Sequence, residues 1–211
     1  MKKIPNLILL GNLEVKRLPI FSFLIKNEMT GLYLHHNFVT KLLNDLFGIQ
    51  TRSGCVCAGP YAQYLLGVSE ELAEKYLTSL YHENEYSPRK DWESNYIEIL
   101  KPGFTRFNLP FFFDETRIDY VLDAIKFVSE FGWKFLPQYS FDENTAKFTH
   151  VLNCRQTKIQ LEKKLNIDAY LNRISMNESK IKTEVNLKYY LDEAKKLAKL
   201  DIFYEMLSLV C

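Results

Sequence analysis

Arg52-Ser53-Gly54-Cys55-Val56-Cys57-Ala58-Gly59-Pro60-Tyr61 carries two of the chain's four cysteines one residue apart, set between glycines. Glycine opens backbone angles that other residues avoid, and proline fixes φ and removes a donor. The stretch therefore predicts an irregular surface loop over residues 52–61, not the interior of a helix or strand. Such loops are where reactive groups tend to be displayed. A thiol reacts as its thiolate, and the guanidinium of Arg52 close by favours that form. A second reading stands beside the first, because cysteine is equally a small buried hydrophobe.

Working upstream, Phe38, Leu42, Leu43, Leu46 and Phe47 recur at helical spacing over residues 36–47, with Gly48 as the stop. A short strand at 49–51 delivers the chain into the loop. The apolar runs 7–10 and 18–25 predict two earlier strands, the second tolerating Pro19 near its start. Downstream, a short helix over 61–66 ends at Gly67, and Ser69 caps a further helix to about residue 81, with Glu70 and Glu71 suiting its dipole. The polar stretch 82–95 reads as a surface excursion. A strand at 96–100, a turn at Lys101-Pro102-Gly103 and an aromatic half-buried strand at 104–109 follow. Asp114 caps a helix whose apolar face is Ile118, Val121, Leu122, Ile125 and Val128. After a turn at 141–144 comes a short strand at 146–152. A last helix over 187–210 places Tyr190, Ala194, Leu197, Ala198 and Phe203 for packing. Segments of both types with antiparallel-style connections predict an α+β fold, a small antiparallel sheet covered by helices.

The 211 residues are 47% hydrophobic and 25% charged, the composition of a globular protein with a sizeable core. The division expected is a main domain over 1–152 and a mostly helical extension over 153–211. With 27 basic and 26 acidic residues the net charge is +1, which excludes the electrostatic footprint of nucleic-acid or anionic-membrane binding. No apolar run reaches membrane-spanning length. Residues 4–10 follow two lysines, but Pro5, Asn6 and the lack of a small-residue cleavage site argue against a secretory leader. Irregularly spaced cysteines without a leader point to a reducing compartment, the cytoplasm, with the mitochondrion left open. His35-His36 with Cys55 and Cys57 are zinc-binding residue types, yet the one-residue cysteine gap is too short for a structural site and no second pair follows. Packed or exposed histidines are the expectation. Phe111-Phe112-Phe113 and Tyr61 read as core or interface surface.

The run Gly48-Ile49-Gln50-Thr51-Arg52-Ser53-Gly54-Cys55-Val56-Cys57-Ala58, together with Phe104-Thr105-Arg106-Phe107-Asn108-Leu109, resembles the C-terminal domain of the class V aminotransferase family. Within it the likeness is to the cysteine desulfurase and selenocysteine lyase type, which depend on pyridoxal phosphate. The family loop runs Arg, any, Gly, any, any, Cys, Ala, and Arg52, Gly54, Cys57 and Ala58 match it in register. The resemblance implies the small-domain fold of fold-type I pyridoxal-phosphate enzymes and makes Cys57 the sulfur-accepting nucleophile. It makes Arg52 the holder of the substrate carboxylate, with Arg106 as a second candidate. Cys55, so close to Cys57, would relay the persulfide. The likeness covers roughly residues 4–131.

Two departures accompany it. Cys55 and Val56 stand where related loops carry histidines, and no His-Lys pair, the family's cofactor-anchoring motif, occurs anywhere in the chain. The resemblance thus implies a C-terminal portion, inactive alone, that works with an N-terminal cofactor domain or a full-length homologue in a homodimer acting on a small amino acid. Two alternatives remain open. One is a non-catalytic interaction remnant. The other is a class V aminotransferase, epimerase or lyase in which Cys57 is a spectator.

Overall fold

A computed structural model of the chain describes residues 1, 3–28, 30–54, 59–80, 97–152 and 186–199. The elements run β1 (Leu7–Leu9), β2 (Ile20–Ile25), α1 (His36–Phe47), β3 (Arg52–Gly54), α2 (Gly59–Leu66) and α3 (Glu70–Leu80). Then come β4 (Phe104–Asn108), α4 (Glu115–Phe131), β5 (Tyr139–Asp142), β6 (Lys147–His150) and α5 (Leu187–Lys199). The first four strands form one antiparallel sheet in the order β1-β2-β4-β3, and β5 and β6 pair as a separate hairpin. The fold is α+β with a small antiparallel sheet and helices, as the sequence predicts.

Alternation along the strands decides which face the helices cover. Phe23 and Ile25 of β2 and Phe107 of β4 point to the inner face, where they join Phe38, Leu42 and Leu43 of α1 and Ile125 and Val128 of α4 in one core. Several of these side chains are wholly removed from water, so truncating one costs about 3 to 5 kcal/mol for an aromatic. α1 stops where Gly48 takes φ 66°, a left-handed angle that only glycine adopts cheaply. Its N–H then reaches back to the Asn44 carbonyl while that of Ile49 reaches Leu43. At the start of α4 the Asp114 carboxylate accepts the Arg117 N–H at 2.8 Å, the predicted cap.

Some expectations change. The irregular stretch is shorter than 52–61: Arg52–Gly54 is a strand, paired to β4, and Gly59 already begins α2. Proline at the second residue of that helix loses nothing, since a first-turn N–H has no intrahelical acceptor. The predicted strand at 96–100 is, over Glu98–Leu100, a single 3-10 turn. Its neighbouring carbonyls, Ile99 and Lys101, are bonded by imidazoles and not by a strand. A further 3-10 helix, Gly132–Gln138, directly follows α4. In α5 the buried stripe is Ala194 and Ala198 with Leu187 and Leu191 packed beside them, so Tyr190 and Leu197, expected to pack, stay largely exposed. That stripe lies in the same core as α1 and α4, and Lys134 Nζ donates to the Ala198 carbonyl. Cys55, Cys57, the excursion 82–95 and Phe203 lie outside the described residues.

Candidate functional site

The antiparallel register of β3 with β4 sets Arg52 directly opposite Arg106, Ser53 opposite Thr105 and Gly54 opposite Phe104. Thr105 and Phe107 face inward, so Arg52, Gly54, Phe104 and Arg106 share the outer face. On the far side of Arg106 stands Ser22 of β2. A polar row, Arg52, Arg106 and Ser22, thus crosses the sheet. The adjoining row is apolar and roofed by α2: Phe104 and Leu24 meet Leu10, Ala62, Leu65 and Leu66 in a second small core. The arginines stand at the edge of that roof, Arg52 exposed and Arg106 half-buried.

Directly opposed cross-strand residues have Cβ atoms about 5 Å apart, and like charges there are unfavourable. Among the described residues no ion pair engages either guanidinium. What such a pair can do is take a planar anion, because each guanidinium offers parallel N–H donors that match the two oxygens of a carboxylate. The two arginines drawn from separate motifs are therefore brought together. The chain leaves β3 at Gly54, at φ 104°, and re-enters at Gly59. The thiols of Cys55 and Cys57 fall between those points, outside the described residues, so their position relative to the arginines rests on the sequence alone.

A second polar cluster, behind β3 at its Gly54 end, was not marked by the sequence as functional. His35 caps α1: its Nδ1 accepts the Asn37 N–H at 3.2 Å and its Nε2 faces the Ile99 carbonyl at 3.1 Å. His36 reaches the Lys101 carbonyl, and Thr105 donates its hydroxyl to the His36 carbonyl at 3.3 Å. Gly103 lies so close that a Cβ there would sit 2.5 Å from His36 Nε2 and 2.8 Å from the Cα of Gly54. Burial, then the neighbouring His36, brings the His35 pKa down to about 4, and burial lowers that of His36. Histidine is not among the residues that usually cap helices, so His35 carried no capping signal in the sequence. Lys101-Pro102-Gly103 was read only as a turn, and its close approach is invisible in a linear pattern.

A cavity of about 390 Å³ opens on the inner side, between the end of α1, the end of β4 and the start of α4. Phe47, Phe107, Phe113 and Tyr120 form its walls, with Gln50 and Arg117 as polar lining. Tyr120 donates to the Phe47 carbonyl at 2.8 Å, burial having pushed its pKa up to about 12, and Arg117 is paired with Asp114 at 2.9 Å. Among the described residues no group of three or more His, Cys, Asp or Glu could hold a metal, and no helix is long and apolar enough to cross a membrane. No protein-family model, no curated protein and no solved structure matches the chain.

Proposed function

We propose that the chain is the small, thiol-bearing domain of a pyridoxal-phosphate enzyme of class V aminotransferase type, with cysteine desulfurase chemistry. In it Arg106 and Arg52 hold the carboxylate of a small amino-acid substrate, and Cys57 accepts its sulfur as a persulfide that Cys55 relays. One observation carries the reading. Two arginines from separate motifs oppose each other on an open sheet face with no described carboxylate paired to either. A cationic pair without a described partner costs stability, and a bound carboxylate removes that cost. The sheet, backed by helices on its inner face, is read as the small domain of a fold-type I enzyme. The roles of the thiols rest on the loop motif.

The described residues do not fit as a seat for the cofactor. No lysine among them is buried, and a lysine engaged with the cofactor would be drawn out of solvent. The cofactor belongs to a companion domain or full-length homologue, in a cytoplasmic homodimer. This chain's part is to bind and orient the substrate's carboxylate and to bring the thiol. The test is to supply such a cofactor domain and measure sulfur release from L-cysteine. Sulfur transfer that appears on mixing and is abolished by Cys57→Ser supports the reading. Activity that survives Cys57→Ser makes the chain part of an aminotransferase, epimerase or lyase with Cys57 as a spectator.

The exposed aromatics favour a second reading. Phe111 is 98% and Phe112 67% exposed just beyond β4, and Leu18 is 72% exposed just before β2, an apolar surface that suits coverage by another domain. As a non-catalytic interaction module the chain would bind a full-length relative and restore no activity on mixing.

A further inference from the structure

The outer face of the sheet makes no use of the two histidines that open α1, and their four ring nitrogens meet partners of different kinds. His35 has one donor and one acceptor, the Asn37 N–H at Nδ1 and the Ile99 carbonyl at Nε2. A neutral ring protonated on Nε2 satisfies both, and a further proton on Nδ1 would point at an N–H. His36 meets two acceptors, Asn37 Oδ1 at 2.9 Å from Nδ1 and the Lys101 carbonyl at 3.2 Å from Nε2. The Asn37 amide is oriented by its Nδ2 donating to the Ala146 carbonyl at 2.9 Å, which leaves Oδ1 toward the ring. Two acceptors are what a doubly protonated imidazole satisfies. The rings lie 4.3 Å apart, so a charge on one is felt by the other.

We propose that this pair is an acid-release latch on the first turn of α1: His36 takes the first proton and then donates to both acceptors, and a proton on His35 Nδ1 removes the cap at Asn37. The charged groups bearing on the pair are Glu98 and Lys101, which act on His36 with opposite signs and are themselves 3.3 Å apart. The hairpin contributes the Phe148 ring and the Ala146 carbonyl, and β4 the Thr105 hydroxyl, all uncharged. Burial, the first cause in both rings, delays proton uptake, and His35 is further opposed by its neighbour. Release frees the Asn37 N–H and leaves the Ile99 and Lys101 carbonyls on the Nε2 atoms of the two rings. The latch stands independently of the sulfur chemistry proposed above.

The test is a pH titration of the full chain by nitrogen-15 NMR from about pH 7.5 to about pH 4, covering the range in which imidazoles change charge. The four imidazoles are assigned with His82→Asn and His150→Asn. His36 is expected to gain its second proton before His35. Amide exchange at Asn37, corrected for its intrinsic pH dependence, should accelerate by up to about tenfold per pH unit as pH falls from 6.5 toward 4. In that window a released His35 is charged and a latched one is not. The acceleration should vanish in His35→Asn, whose amide keeps a cap acceptor but does not titrate. Protonation of His35 ahead of His36, pH-independent exchange at this amide, or an acid step that persists in His35→Asn each overturns the proposal. The wild-type titration decides by itself where His35→Asn does not fold.

Discussion

Two polar clusters flank β3, one at Arg52 and one at Gly54, and are built on opposite principles. Behind the strand, every ring nitrogen of His35 and His36 has a partner, and Gly103 is pressed between an imidazole and the backbone of Gly54. On its outer face, Arg52 and Arg106 oppose each other with no described partner. Half-buried polar groups with bonding partners fix a structure, whereas like charges held together without one weaken it. Residues that stabilise and residues kept ready for an anion can thus be told apart by what a substitution does to stability.

Gly103→Ala gives the largest effect. A methyl group 2.8 Å from the Gly54 Cα cannot be accommodated by rotating a side chain, so stability should fall by about 1 to 3 kcal/mol in urea denaturation. A loss below about 0.5 kcal/mol, the range of a surface change, would mean that this junction is soft and the contrast false. His35→Ala comes next, at about 1 kcal/mol for a lost N-cap. His35→Asn should recover most of it.

The same comparison shows how much the sequence revealed. α1 was legible because five apolar residues keep one period and Gly48 ends it, and β4 because an aromatic, partly alternating run follows the Lys101-Pro102-Gly103 turn. The pairing of Arg52 with Arg106 was not, although both residues were marked separately, because register between strands far apart in sequence is set by tertiary packing. Residues 96–100 look like a strand, but Glu98–Leu100 is a 3-10 turn, and imidazoles take the carbonyls of Ile99 and of Lys101 just after it. The capping role of His35 was missed for a related reason. Two histidines near two cysteines invite a metal reading, and the partners that explain them, Ile99 and Lys101, lie more than sixty residues along the chain. In α5 the helix was legible and its buried stripe was not, since the period admits several faces and the docking surface selects one.

pH dependence sharpens the contrast further. His35 holds its proton with a pKa of about 4 when folded and at its ordinary 6.5 when unfolded. Between those values the unfolded chain binds more protons, so stability rises with pH. The contribution is fully present above 6.5 and is lost as pH falls toward 4, and His36, lowered by burial, acts in the same direction. Urea midpoints followed across this window should decline with acid in the wild type and less steeply in His35→Asn.

The smallest expected effect has the opposite sign. Arg52→Gln or Arg106→Gln should leave stability unchanged or raise it by a few tenths of a kcal/mol, about the size of a relieved cross-strand repulsion. A thermal-melting loss equivalent to more than about 1 kcal/mol would reveal a structural role and remove the distinction between the clusters.

The carboxylate-binding claim itself is tested most directly by following the guanidinium Nε–H signals of Arg52 and Arg106 during titration with L-cysteine and, separately, with cysteamine, which has the same thiol and amine but no carboxylate. Both arginine signals should shift with cysteine and stay in place with cysteamine. Arg106→Gln should weaken cysteine binding by about tenfold or more, the loss of one charge-assisted hydrogen bond. Equal shifts with the two ligands, or none with cysteine, would contradict the claim.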